Sequence, residues 1–229
     1  MKSIIRDLIR RFGFDINYFG RSKIFRDLNI ELLIDVGANE GQYAKSIRRI
    51  GYLGKIYSFE PLHDAFLKLE KASKKDPLWD VYNYALGEDN YNSVINISSN
   101  SYSSSIMDMT DLHKSASFDS RYISKQNISI KRLDDFIENL SDNANNIFLK
   151  IDTQGFEKKV LQGSIESLRS ISGIQLEVSL VELYKGEDIF IDIINFLDSL
   201  NFRVVSFEPG FYNKQNGHFL QADLLFIAK

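Results

Sequence analysis

Four carboxylates lie in or at the ends of apolar runs: Asp35 in "LLIDV", Glu60 in "GKIYSFE", Asp152 in "IFLKID" and Glu177 in "IQLEVS". An ionised acid among apolar neighbours is costly unless it has a partner or a task. Glu60 ends its run 23 residues after Gly37, a spacing at which an acid can accept both hydroxyls of a ribose. Asp35 ends an earlier run, where its charge suits a cationic amine. Asp152 reads three ways: as a contact to such an amine, as a proton acceptor, or as a metal ligand. Its ordinary alternative is a cap for the helix that begins near Gly155. Glu177 would be a second site carboxylate, and with Asp152 it could form an oxygen site for magnesium. Glu157 falls in a first helical turn, where the helix dipole alone accounts for an acid.

Of the three histidines, His113 is the candidate base. It lies in a polar stretch, and imidazole titrates near neutrality, which suits removal of a hydroxyl proton. The plainer reading is a solvated loop histidine. His63, two residues after Pro61, reads as surface, and His218, near Gln221 and Asp223, as structural. Tyr102 and residues 103–105 offer hydroxyls to a polar acceptor, or simply make a loop.

These residues need elements to hold them. Apolar runs at 30–36, 54–60, 79–86, 146–151, 171–180, 202–208 and 219–228 predict strands. Segments 41–50, 61–73 (Pro61 in the first turn), Leu133 onward, Gly155 onward and 187–200 predict helices. The alternation predicts a mostly parallel sheet covered by helices on both faces. The last two strands flank a loop of about ten residues, too short for a parallel crossover, so the C-terminal strand is expected to be antiparallel. Residues 90–126 are rich in serine and asparagine and predict a short strand followed by a polar loop over the acceptor side. Residues 2–12 predict a helix with Ile4, Ile5, Leu8, Ile9 and Phe12 on one face; it would lie on the domain or, alternatively, touch a membrane surface. One domain over 1–229 is expected, with 1–29 as a helical extension.

"LLIDVGANEGQYAKSI" supplies the ligand-binding turn. Gly37 lets backbone approach closely, and the helix after Gly41 presents free N–H groups to an anion. A dinucleotide fingerprint needs glycine where Asn39 stands, and Asp35 would repel a diphosphate. S-adenosylmethionine fits better, with its amine toward Asp35 and its carboxylate toward the helix. The 229 residues include no cysteine, which excludes disulfides and thiolate sites, and a net charge of −3 gives no drive toward nucleic acid. "MKSIIRDLIRRF" lacks the uninterrupted apolar stretch of a signal peptide, and no run reaches membrane-span length. A cytoplasmic protein is expected.

The segments "IDVGANEGQYA", "SFEP", "ALG", "RLDDF", "KIDTQGFEKKVLQG", "LEVS" and "QADLLF", in that order, resemble the FkbM-type methyltransferases. The resemblance implies a Rossmann-like class I methyltransferase fold with a seven-stranded sheet. It implies O-methylation from S-adenosylmethionine on a sugar hydroxyl of a bacterial surface glycan such as a capsule or O-antigen, the acceptor being a small molecule or glycan such as a nucleotide sugar or lipid-linked glycan. By that resemblance Asp35, Gly37, Ala38, Asn39 and Gly41 form the cofactor loop, Glu60 holds the ribose, and Asn83, Ala85 and Leu86 border the adenine. The family often has a histidine near position 113 and often has V-E-G-A-E where this chain has "TQGFE" (153–157), so an acid is absent at Gln154. A natural-product hydroxyl or a nitrogen is the alternative acceptor, and cofactor binding without turnover is the non-enzymatic alternative.

Overall fold

The computed structural model describes residues 21–138 and 145–229; the expected helix over 2–12 lies outside the described residues. A short helix, α1 (Arg21–Asp27), leads into β1 (Leu32–Val36), α2 (Gln42–Arg49), β2 (Lys55–Phe59), α3 (His63–Ser73) and β3 (Trp79–Tyr82). A smaller unit follows, comprising β4 (Ala85–Leu86), β5 (Tyr91–Ser98), α4 (Asp111–Ala116) and β6 (Tyr122–Lys131). The chain then runs through α5 (Leu133–Glu138), β7 (Ile147–Ile151), α6 (Glu157–Gln162), β8 (Ile171–Ser179), α7 (Phe190–Ser199), β9 (Phe202–Pro209) and β10 (Gln221–Ala228).

Seven strands form the main sheet in the order β3-β2-β1-β7-β8-β10-β9. β1 pairs in parallel with β2 and β7, and β7 with β8, whereas β10 runs antiparallel to both β8 and β9. The middle strands are buried on both faces, as their near-continuous apolar composition requires. Alternation along them sorts the core into two layers. Leu32, Ile34, Val36, Leu149, Ile151, Ile174 and Leu176 face one layer. Leu33, Phe148 and Leu225 face the other, with Phe25, Ala44, Ile47 and Trp79. The same period of two puts Asp35, Lys150, Gln175, Glu177 and Asp223 on this second face. Register makes Asp35, Lys150 and Gln175 neighbours across three strands and sets Asp223 opposite Glu177.

Three segments depart from the sequence reading. The run 79–86 is two strands, because the Asn83 side chain donates to the carbonyls of Glu60 (2.9 Å) and Pro61 (3.2 Å) and β4 leaves to pair with β6. Helix α3 starts at His63, since Glu60 Oε1 accepts the Leu62 N–H (2.8 Å) and Leu62 is extended, which leaves Pro61 ahead of the helix. Residues 90–126 contain far more strand than expected. The eight residues of β5 pair antiparallel with the ten of β6, and β4 completes a second, three-stranded sheet. Ladder hydrogen bonds hold these strands, and only part of each is buried, so polar residues are tolerated in them. Among the described residues, no helix is long and apolar enough to cross a membrane.

Candidate active site

A cavity of about 440 Å³ opens beyond the carboxyl ends of β1, β2, β7 and β8, with the second sheet as its far wall. In α/β sheets this edge is where ligands bind. One end is apolar: Leu62, Ala85, Ile95 and Phe156 pack together beside Ile106, and all five line the cavity. Leu86 and Phe59 extend that wall. Glu60 stands next to it, 5% exposed. Its two oxygens accept the backbone N–H groups of Asn39 and Leu62, both at 2.8 Å. Burial pushes its carboxyl up to about 7, although the two amides oppose the shift.

The loop that feeds Glu60 uses left-handed backbone at Gly37 (φ 73°), Asn39 (φ 48°) and Gly41 (φ 81°). Gly37 and Ala38 donate their N–H groups to the Phe59 carbonyl, so the turn is tied to β2. At Gly37 a Cβ would come within 1.9 Å of the Asp152 carbonyl oxygen; the close approach it permits is to the end of β7. At Gly41 a Cβ would meet Trp79 at 2.7 Å. Trp79 is itself fixed by its indole N–H donating to Ser58 Oγ (2.9 Å). Ala38 and Asn39 line the cavity, as do Gln42 and Tyr43 from α2. Gly41, the helix N-cap, receives no side-chain cap.

The other end is ionic. Lys150 lies between Asp35 and the cavity, with Nζ 3.3 Å from Asp35 Oδ1, 3.5 Å from Asp152 Oδ2 and 3.4 Å from the Gly37 carbonyl. Burial alone would push the ammonium down; Asp35 and Asp152 reverse that and hold it above its usual value. Asp35 is fully buried and is not among the residues lining the cavity, so the lysine, not the open cavity, meets its charge. Asp152, Gln154, Gln175, Glu177 and Asp223 line this end. The Gln154 amide donates to Asp152 Oδ1 and Glu177 Oε2, each at 2.8 Å. Gln221 donates to the same Glu177 oxygen at 3.1 Å. Gln175 accepts from the Tyr43 hydroxyl (2.8 Å) and donates to Asp223 (3.3 Å). Burial, then the nearby charges of Asp152 and Asp223, raise the Glu177 carboxyl well above the ordinary glutamate value.

Besides Asp35 and Gly41, other residues singled out in the sequence stand away from the cavity lining. Asn83 braces the backbone under Glu60. Glu157 accepts the N–H groups of Thr153 and Gly155 and the Thr153 hydroxyl, and so closes its own turn. His113 is 3% exposed on α4, packed edge-on against Tyr184 with ring centroids 5.0 Å apart and tilted against Phe211 at 5.8 Å. Burial pushes its imidazole down to about 4. His218 precedes β10 in an exposed turn. The oxygen pair read as a magnesium site is not free for one: the Gln154 amide lies between Asp152 and Glu177. Among the described residues no group of three or more His, Cys, Asp or Glu is placed to hold a metal ion.

Residues missed by the sequence reading are Lys150, Gln175, Asp223, Tyr43, and the apolar wall residues Ile95, from β5, and Ile106, from the loop after it. A lysine inside the apolar run "IFLKI" is itself a signal, because a buried ammonium requires partners.

Residues 35–204 match the model of the Methyltransferase FkbM domain. No curated protein matches the chain by sequence. The fold is similar to that of a methyltransferase FkbM from Methylobacillus flagellatus KT, with a TM-score of 0.56 and 15% identity, covering 91% of this chain and 46% of that one. It is also similar to the Burkholderia thailandensis 1,6-didemethyltoxoflavin-N1-methyltransferase, solved with 1,6-didemethyltoxoflavin and S-adenosylhomocysteine bound. There the TM-score is 0.51 and the identity 6%, covering 91% of this chain and 76% of that one. The chain thus spans about half the length of the first structure. At these identities the likeness is one of fold, the class I methyltransferase fold.

Proposed function

Because the chain belongs to the FkbM methyltransferase family, we propose that it is an S-adenosylmethionine-dependent O-methyltransferase acting on a sugar hydroxyl of a bacterial surface glycan. The observation that carries this reading is the two-ended cavity: an apolar wall with Glu60 at one end, and Asp152 and Glu177 at the other. Its volume is in the range of small-molecule sites.

When bound, S-adenosylmethionine supplies a methyl group on a sulfonium. Glu60 keeps one lone pair per oxygen for the backbone and turns the rest toward the ribose hydroxyls. Leu62, Ala85, Ile95 and Phe156 cover the adenine and exclude water. With Asp35 neutralised by Lys150, Asp152 is the carboxylate that meets the amine. Asp152 and Glu177 also face the acceptor, and one of them takes the hydroxyl proton as the oxygen is methylated. Such an arrangement contributes chiefly by holding the oxygen behind the methyl carbon. Tyr102, Ser104 and Gln42 give the rim hydroxyl and amide groups suited to a polyol. His113, packed behind Tyr184, takes no part. The proposed setting is cytoplasmic and the whole chain one domain, with residues 90–126 over the acceptor side.

The test is transfer of labelled methyl to a panel of nucleotide sugars, lipid-linked glycans, natural-product phenols and amines. Methylation of a sugar hydroxyl is expected. Exclusive labelling of a nitrogen or a phenol would overturn the sugar assignment, and S-adenosylhomocysteine binding with no turnover on any acceptor would leave a binding protein.

A further inference from the structure

At the ionic end of the cavity, two acids face each other across one side chain. Asp152 closes β7, Glu177 belongs to β8, and Gln154 sits in the turn between β7 and α6 with a left-handed backbone (φ 58°). Its carbonyl accepts from Ser105 Oγ at 2.6 Å, which ties the turn to the second sheet. Its amide oxygen accepts from the Tyr184 hydroxyl at 2.7 Å, and Tyr184 is fully buried. The amide nitrogen is then left to donate to both acids, at 2.8 Å each. A flipped amide would aim its oxygen at two carboxylates, so the orientation is fixed by chemistry as well as by Tyr184.

The geometry points to Gln154 as a positioning residue whose amide takes the place between Asp152 and Glu177 that a bridging divalent cation would otherwise fill, so that the two acids are held without a metal. A hard cation at this point needs converging oxygens. It would meet two N–H groups instead, and the one amide oxygen is turned away to Tyr184. The difference matters for proton transfer. A bridging cation binds carboxylate lone pairs and lowers their basicity. An N–H donor uses one direction and leaves the remaining lone pairs able to accept a proton. The inference rests on the methyl-transfer reading for the purpose the acids serve, but the placement of the amide stands apart from it.

The experiment uses manganese(II) alone as the probe, read by electron paramagnetic resonance, on the wild type and on Gln154→Glu. The variant brings a third carboxylate between the two and removes the donors. It is expected to gain a sub-millimolar manganese site, whereas the wild type gains none and methylates at full rate in excess chelator. A wild-type manganese site lost on Asp152→Asn, or turnover that stops on chelation, overturns the proposal. A folded Gln154→Glu that binds no manganese does the same. If that variant does not fold, Gln154→Met keeps the length and removes both donors. It is expected to lower kcat at least about tenfold, with S-adenosylhomocysteine affinity changed less than about threefold. An unchanged kcat overturns the proposal. If manganese behaves as expected but no acceptor is ever methylated, the placement stands and the methyl-transfer reading falls.

Discussion

The two ends of the cavity hold their acids by different means. Glu60 is held by backbone: the N–H groups of Asn39 and Leu62, from the loop after β1 and from its own turn. Asp35, Asp152 and Glu177 are held by side chains: Lys150 from near the end of β7, Gln154 from the following turn, and Gln221 from β10. Backbone donors come with the fold and survive most substitutions. Side-chain donors can be removed one at a time, so the ionic end is where single mutations should have their largest effects.

Lys150 is where the contrast breaks first. Lys150→Met would leave Asp35 fully buried without its cation. Removing one partner of a buried pair costs about 3–5 kcal/mol, and urea denaturation should show a loss of that order. Asp35→Asn added to the same variant should recover part of it, since the uncompensated charge goes. A loss below about 1 kcal/mol would mean that the ionic end does not depend on this pair.

At the backbone-held end the effect should fall on binding. Glu60→Ala removes a charged acceptor for the ribose hydroxyls and should weaken S-adenosylhomocysteine by roughly 1–3 kcal/mol in calorimetry. Unchanged affinity would remove Glu60 from the ribose and, with it, the assignment of the apolar end to adenine.

The same contrast explains what the sequence could and could not tell. The strands of the main sheet and the antiparallel direction of the last one were legible because their signals are local: apolar runs of strand length, and a short connection before the last strand. The β1 loop and Glu60 were legible too, since both partners lie within one strand–turn–helix–strand unit. Lys150, Gln175 and Asp223 were harder. They lie 115, 140 and 188 residues from Asp35 and come beside it only once strand order is known; with it, the period of two already puts them on Asp35's face. The full extent of β5 and β6 was hidden by composition, because strands covered on part of one face tolerate serine and asparagine. His113 carried no local sign of burial: its environment is made by Tyr184 and Phe211, which are distant in the chain.

The smallest expected effect sharpens the comparison through pH. Glu177 has a folded-state carboxyl raised well above its ordinary value of 4.5, first by burial and then by Asp152 and Asp223. Between 4.5 and the raised value the folded protein keeps a proton that the unfolded chain has released. Folded-state proton excess means that stability falls as pH rises through that window, and the full cost is present above it. Glu60 and Glu157, each raised to about 7, act in the same direction and together outweigh His113, whose lowered value opposes them in this window, so the ligand-free protein should melt lower at pH 8 than at pH 5.5. Glu177→Gln takes one titrating group out. The variant keeps an oxygen for the Gln154 and Gln221 amides, which both address the same Glu177 atom, and it no longer places a charge beside Asp152. It should therefore gain stability at pH 8, on the order of 1 kcal/mol or 2–4 °C for a chain of this size, and gain little at pH 5.5. Thermal melts at the two values measure the difference directly. Equal slopes in wild type and variant would mean that Glu177 is already ionised at pH 5.5, with its charge fully met by the two amides, and the ionic end would then be as well supported as Glu60.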